Sequence, residues 1–143
     1  MAGPREVQMA TVNSLLRNVG VAAIPGEKLV VMGGDTVRMT ATVEYRGPAI
    51  SDRLYGAIGE RGLFFDEIWA GQGPSVNFNQ SIDWVEYTLT VDIVTDISHP
   101  HVDYDLMAKL LAHPATFVEV PDVIDVIGTA EFRNFGITSY EKV

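Results

Sequence analysis

Cysteine is absent from the 143 residues of this chain. Its absence excludes disulfide bonds, thiolate metal ligands and a cysteine nucleophile. It leaves the cellular compartment open, because reducing and oxidising surroundings both tolerate a domain without cysteine. No apolar run approaches the ~20 residues of a membrane-spanning helix. Residues 1–17 also lack the basic and then apolar order of a signal peptide, so we expect neither a membrane span nor a secretion signal.

Positive charge is scarce and scattered. The 10 Lys and Arg residues form no basic stripe, and 19 Asp and Glu residues outnumber them, which gives a formal net charge of −9. Nucleic-acid binding needs clustered cations that neutralise phosphates, so a nucleic-acid partner is disfavoured. The acidity favours solubility and mutual repulsion between copies.

A helical period is almost absent, and strict alternation of apolar and polar residues takes its place. Thr36–Tyr45 is the clearest example, and Trp84–Val94 and Tyr104–Leu110 repeat its pattern. A period of two residues indicates strands with one buried and one solvated face. Shorter candidate strands are Arg53–Ile58, Gly62–Trp69, Pro74–Phe78, Thr116–Val120, Val123–Gly128 and Glu131–Ser139.

The start of the chain is ambiguous. Apolar residues between Val12 and Val19 fit a helical spacing, whereas Leu16–Ala23 also fits a first strand. We favour the strand, because apolar residues alternate up to Ala23, just before the turn Pro25-Gly26.

Many short strands separated by Gly and Pro turns predict an all-β fold with two antiparallel sheets. We expect a single domain over residues 1–143, with its core in 14–128 and a C-terminal strand or assembly segment in 129–143. The predicted core residues are Val37, Met39, Val43, Tyr87, Leu89, Val91, Leu106, Ala108 and Ile124.

The two ends of the chain share a motif. Leu16–Val21 reads LRNVGV and Phe132–Ile137 reads FRNFGI. Chance similarity between two strands of one sandwich is the simplest interpretation. Alternatively, the later segment begins another copy of the domain, or it pairs with a sheet edge on a neighbouring molecule.

The order of these signals resembles a known family. Gly33-Gly34-Asp35-Thr36 opens a strand rich in Val and Thr, and Asp103–Leu110 looks like a penultimate strand. Together they resemble bacterial adhesion-type, CARDB-like, immunoglobulin-like modules. The resemblance implies an immunoglobulin-like Greek-key sandwich, with Tyr104 as a tyrosine corner whose hydroxyl bonds back to the backbone. It implies architecture only, since this fold carries many functions.

Metal binding is the first chemistry to weigh. His99, His101 and Asp103 lie two residues apart, and an extended backbone would direct all three side chains to one face. However, Pro100 marks a turn, and no fourth ligand is evident nearby. We therefore interpret this stretch as a structural loop and expect no metal and no cofactor.

Catalytic motifs are also missing. No serine lies in a Gly-x-Ser-x-Gly elbow. The adjacent acids Asp66 and Glu67 would point to opposite faces of a strand, so they cannot form the facing pair of a glycosidase. We therefore expect a protein that is not an enzyme.

The segment Gly62–Gly71 crowds three aromatic and two acidic residues into ten positions. Alternation predicts one face with Phe65, Glu67 and Trp69, and another with Phe64, Asp66 and Ile68. Apolar groups on both faces indicate core packing, a protein contact or a stacking platform for sugars. Trp84 raises the same question, because it falls on the otherwise polar face of its strand. The candidate partner-binding residues are Phe64, Phe65, Glu67, Trp69 and Trp84.

These observations favour a non-catalytic structural or protein-interaction module, such as a component of a virion, an appendage or a surface assembly. Its expected partner is another protein or a second copy of itself. The alternative is a carbohydrate-binding module that uses exposed Trp or Phe side chains.

Overall fold

The computed structural model describes residues 16–21 and 27–143, in which every regular element is a strand. None of these residues belongs to a helix long and apolar enough to cross a lipid bilayer. The strands are β1 (Leu16–Val21), β2 (Leu29–Met32), β3 (Thr36–Gly47), β4 (Ile50–Asp52), β5 (Leu54–Arg61), β6 (Phe65–Gln72), β7 (Val76–Phe78), β8 (Ser81–Val94), β9 (His101–Leu110) and β10 (His113–Ile127).

Three sheets form from these strands. One has the order β1-β3-β8, the second has the order β2-β10-β9-β5-β6, and β4 pairs with β7 in a third. All pairings are antiparallel except that of β2 with β10, which is parallel. One sheet curls strongly into half a barrel. The two larger sheets meet where β8 contacts β5 and β6 and where β1 contacts β10.

The longest regular ladder joins β3 to β8. It runs from Thr36 opposite Val94 to Tyr45 opposite Val85. Alternate residues of β3 from Val37 to Tyr45 are buried, which confirms the alternation seen in the sequence. On the solvated face, Arg38 donates two hydrogen bonds to Asp92, at 2.7 and 3.0 Å. These bonds lower the pKa of Asp92 below its ordinary value.

The core draws buried residues from both larger sheets and from β7. All predicted core residues are buried except Tyr87 and Leu106, which are partly buried and pack against the core. One aromatic group in the core is centred on Phe78, whose ring centroid lies 5.2 Å from that of Tyr45 and 4.7 Å from that of Tyr87. The all-β expectation is therefore confirmed, together with most of its core.

Glycines let β6 and the turn after it approach β8 closely. A Cβ atom on Gly73 would lie 1.9 Å from the carbonyl oxygen of Thr90. One on Gly71 would lie 2.3 Å from the carbonyl oxygen of Asp92. No larger residue fits without moving one of these backbones, so both glycines are needed for the two sheets to pack this closely along this edge.

The predicted strands Thr116–Val120 and Val123–Gly128 are one irregular strand, β10. Its pairing with β9 shifts after Val120, where Asp122 adopts the left-handed conformation with φ 56°. The buried carboxylate of Asp105 accepts the N–H of Asp122 at 2.8 Å and that of Arg61 at 2.9 Å. A side chain therefore satisfies backbone donors at the irregularity. The short strands β2 and β4 were not predicted.

The predicted strand Glu131–Ser139 is wrong for this chain. Residues 128–143 form no strand, because no neighbouring strand supplies hydrogen bonds to them. The predicted first strand is confirmed for Leu16–Val21. The rest of that prediction, in residues 22–23, lies outside the described residues, as do residues 12–15 and the turn Pro25-Gly26.

Candidate interaction surface

The β5–β6 hairpin places two large apolar side chains at its tip. Arg61 pairs with Phe65 where the strands end, and the N–H of Gly62 bonds to the carbonyl oxygen of Phe64 at 3.0 Å. Leu63 and Phe64 are 89% and 79% exposed. This short turn leaves them no neighbouring surface on which to fold back, so the hairpin tip (Leu63 and Phe64) stands in solvent.

A bulge in β6 separates residues that the sequence places together. Ile58 pairs with Trp69 and Gly59 pairs with Glu67, so the register passes over Ile68. One extra residue in β6 moves every later side chain of that strand to the opposite face of the sheet. The prediction that Phe65, Glu67 and Trp69 share a face is therefore wrong for Trp69, which lies on the side of the buried Ile58.

Trp69 is a core residue. It is 8% exposed, and its ring meets those of Tyr104 and His99 nearly edge-on, with centroids 5.5 and 6.1 Å away. Asp96 lies near this ring, and hydrogen bonds from the hydroxyl and the N–H of Ser98, with a smaller contribution from Trp69, hold the pKa of Asp96 below its ordinary value. Trp69 is therefore not available as a surface for stacking sugars.

Phe65 belongs to a cluster on the outer face of the five-stranded sheet, which we call the arginine–aromatic cluster (Arg61, Phe65, Phe117 and Glu119). The guanidinium of Arg61 lies 5.8 Å from the centroid of Phe65 and 5.4 Å from that of Phe117. Its Nε donates to Glu119 at 3.0 Å. The two rings approach edge to face, 6.5 Å apart. Cation–π contact and the ion pair keep both rings at the surface in one arrangement.

Glu67 extends this outer face toward Tyr55. The Tyr55 hydroxyl donates a hydrogen bond to the Glu67 carboxylate, and the Lys109 ammonium lies 5.1 Å from the centroid of the Tyr55 ring. Partial burial, followed by the hydrogen bond and charge of Glu67, raises the pKa of Tyr55 to about 12. Glu67 therefore has a partner within the chain and orients a tyrosine.

Trp84 lies on the other large sheet, in β8. It is half-buried, and the guanidinium carbon of Arg46 lies 4.5 Å from the centroid of its ring. The five candidate residues therefore occupy three places. Phe64, Phe65 and Glu67 lie on the outside of the β5–β6 hairpin, Trp69 of the same hairpin is in the core, and Trp84 is on the three-stranded sheet.

The candidate metal-binding residues are directed to different partners. His99 Nδ1 lies 2.6 Å from the adjacent serine hydroxyl. His101 Nε2 lies 2.6 Å from Glu60 Oε1, while Asp103 pairs with Lys28. In residues 16–21 and 27–143, no three His, Asp or Glu side chains are grouped so that they could hold a metal ion.

Sequence reasoning missed a polar contact between Asp52 and His113. The Asp52 side chain is 2% exposed, and its Oδ2 lies 2.7 Å from His113 Nδ1. Its Oδ1 accepts the N–H groups of Arg53 and Ala112, at 2.8 and 2.9 Å. The pair joins the β4–β5 turn to the β9–β10 turn. Because 61 residues separate its members, no local motif could reveal it.

Comparison with protein-family models and with curated proteins gives no match to this chain. The candidate surface is therefore argued from its geometry. Among residues 27–143, the large apolar side chains that are at least 79% exposed are Leu63, Phe64, Ile82, Phe132, Phe135, Ile137, Tyr140 and Val143. Except for Ile82, they lie at the hairpin tip or in the C-terminal segment, which we define as residues 128–143.

Proposed function

We propose that the chain is an immunoglobulin-like Greek-key sandwich of the bacterial adhesion type. Two features support this architecture. Neighbours in both large sheets are distant in sequence, as in β3 beside β8 and β5 beside β9, which is typical of Greek-key connections. In addition, the hydroxyl of Tyr104 donates to the carbonyl oxygen of His99 at 2.9 Å, the type of contact that a tyrosine corner makes.

In function, the protein is a non-catalytic structural module that associates with protein, including further copies of itself, within a virion, an appendage or a surface assembly. The observation that carries this proposal is the concentration of exposed apolar side chains at the hairpin tip and in the C-terminal segment. Contiguous apolar groups in water are unfavourable and mark interaction sites. Exposed phenylalanines can act as anchors that enter pockets on a partner.

The hydrogen-bonded polar side chains of the scaffold support the same proposal. Asp52 and His113 join two turns, and Asp105 caps the irregularity in β10. Glu67 accepts the hydroxyl of Tyr55. These side chains have structural partners, which is the arrangement expected where polar groups stabilise a scaffold.

Light scattering coupled to size-exclusion chromatography tests self-association. We expect a mass above that of one chain, rising with concentration, and a weaker association when Phe64 is changed to Ser. Ile82→Ser is the matched control, because Ile82 is 88% exposed but lies away from the hairpin tip. A chain that stays monomeric at every concentration would contradict self-assembly.

Carbohydrate binding is the second candidate, and the exposure of Phe64 favours it. A ring at a hairpin tip can stack on a sugar ring. Screening the wild type and a Phe64→Ala variant on a glycan array tests this alternative. Binding that disappears in the variant would favour the carbohydrate-binding function over the assembly function.

A further inference from the structure

The motif shared by the two ends of the chain is paired in one copy and unpaired in the other. In LRNVGV, β1, the backbone pairs with β3. In FRNFGI, at Phe132–Ile137, Arg, Asn and Gly recur at the same positions, and the other three positions are apolar in both copies. This second copy forms no strand. The sequence of an edge strand is therefore present twice in a chain where only one copy has a strand partner.

The backbone of the second copy is irregular at the position where the pairing of the first copy shifts. The register of β1 on β3 shifts between Leu16 and Val19, so the irregularity falls on Arg17 and Asn18. At the position equivalent to Asn18, Asn134 has φ 58°, in the left-handed region. A residue in that conformation is typical of certain bulges, and Asn tolerates it well. The C-terminal segment therefore already has a bend where β1 departs from regular pairing.

The apolar side chains of the second copy are not packed against the rest of the chain. Phe132, Phe135 and Ile137 are 93%, 97% and 86% exposed. A Cβ atom on Gly136 would meet nothing within 4 Å, so no close neighbour requires a glycine there. The apolar side chains and the glycine become explicable if the segment pairs with a surface outside its own chain.

We propose that Phe132–Ile137 of one copy pairs with β3 of a second copy, in the place that β1 occupies within a single chain. The inference rests on the proposed function, since it identifies the partner as another copy and the site as the edge of β3 from which β1 of that copy is displaced. Exchanging one strand for a similar one preserves the backbone hydrogen bonds of the edge, which makes strand exchange an accessible route to assembly.

The register of β1 determines which residues would meet. Leu16, Val19 and Val21 pair with Tyr45, Val43 and Ala41. By equivalence, Phe132, Phe135 and Ile137 would lie opposite the same three residues, which are at most 2% exposed. Directly opposed residues in an antiparallel pair share a face. The exposed apolar side chains would then be directed toward the core side of the sheet, while Thr138 would face solvent.

Cysteine cross-linking of the full-length chain tests this register, because the protein has no cysteine of its own. An Ala41→Cys chain is mixed with a differently tagged Ile137→Cys chain and oxidised. Opposed residues in an antiparallel pair have Cα atoms about 4.5–5.5 Å apart, within the range of a disulfide. We expect a mixed disulfide between the two tags. The matched control replaces Ile137→Cys with Thr138→Cys, for which the yield should be much lower.

A second experiment uses substitutions that leave the core unchanged. Phe135→Asp and Ile137→Asp change side chains that are almost fully exposed, so each variant should fold as the wild type does. Analytical ultracentrifugation should show self-association weakened by roughly tenfold or more, as for loss of an apolar anchor. Thr138→Asp should leave it nearly unchanged. A synthetic peptide of residues 130–143 should compete with assembly.

The outcomes separate this inference from the proposed function. Self-association that persists unchanged in the Asp variants, or equal disulfide yields with Cys at 137 and 138, would overturn the strand exchange and leave assembly standing. A wild type that is monomeric throughout, with no mixed disulfide, would contradict both. Association that is lost in Phe64→Ser and retained in Phe135→Asp would assign the interface to the hairpin tip instead.

Discussion

The hydroxyl of Tyr104 donates a hydrogen bond to the backbone carbonyl oxygen of His99, at 2.9 Å. His99 lies in the loop before β9, and Tyr104 lies within that strand. The ring of Trp69 packs nearly edge-on against both residues. One hydrogen bond therefore fixes how the chain enters β9, and the rings of Tyr104 and His99 both pack against the buried tryptophan of the bulged strand β6.

Changing Tyr104 to Phe removes this hydrogen bond and keeps the ring. We expect the free energy of unfolding to fall by about 1 kcal/mol, because the carbonyl oxygen loses its side-chain donor. Urea denaturation measures the difference. Tyr140→Phe is the control, since Tyr140 is 94% exposed. Equal stabilities of wild type and Tyr104→Phe would show that the bond does not support the fold.

Changing Gly73 to Ala tests the close approach of the turn after β6 to β8. The added Cβ would lie 1.9 Å from the carbonyl oxygen of Thr90, so one backbone must move. We expect a loss of about 1–3 kcal/mol, as for an overpacked site. In Gly62→Ala the nearest atom to the added Cβ is the carbonyl oxygen of Phe64, 3.8 Å away, so stability should change little. Thermal unfolding of both variants checks the prediction.

Asp105→Asn tests the carboxylate that stabilises the irregularity in β10. Asp105 accepts hydrogen bonds from the N–H groups of Arg61 and Asp122. An amide has one acceptor oxygen, so its NH₂ group would face one of the two donors. We expect a loss of about 1–3 kcal/mol in chemical denaturation. Asp66 is exposed, so Asp66→Asn should hardly change the free energy of unfolding. An equal loss in both variants would show that the two hydrogen bonds to Asp105 do not stabilise the fold.

The raised pKa of Tyr55 predicts that the folded chain loses stability at high pH. This pKa is raised from 10.0 to about 12 in the folded chain, so the unfolded chain releases the phenolic proton first. The stabilisation is complete below pH 10 and is lost as the pH rises from 10 to about 12. Because the pKa values of Tyr45 and Tyr104 are also raised, the test compares wild type with Tyr55→Phe. The variant should lose less stability across this window. Ultraviolet titration of the two proteins gives the phenol pKa directly.

The sequence predicted best where one face of a strand meets the core and the other meets water. Thr36–Tyr45 and Trp84–Val94 are such segments, and they form the ladder of β3 with β8. Every second residue is buried along most of these strands, so the alternation of apolar and polar residues is visible over a short stretch of sequence. The unpredicted strands β2 and β4 are only four and three residues long. Segments that short contain too few alternations to be distinguished from turns.

The all-β class, most of the core residues and the repeated end motif can be recognised in the sequence, because each depends on residues that are neighbours along the chain. The tertiary structure sets which face each aromatic residue takes. The bulge at Ile68 places Trp69 in the core and Glu67 outside, and a shift of one residue is invisible until the partner strand is in place. It also brought Asp52 to His113 across 61 positions. Such contacts depend on how strands pair over long distances, which no local pattern of polar and apolar residues can specify.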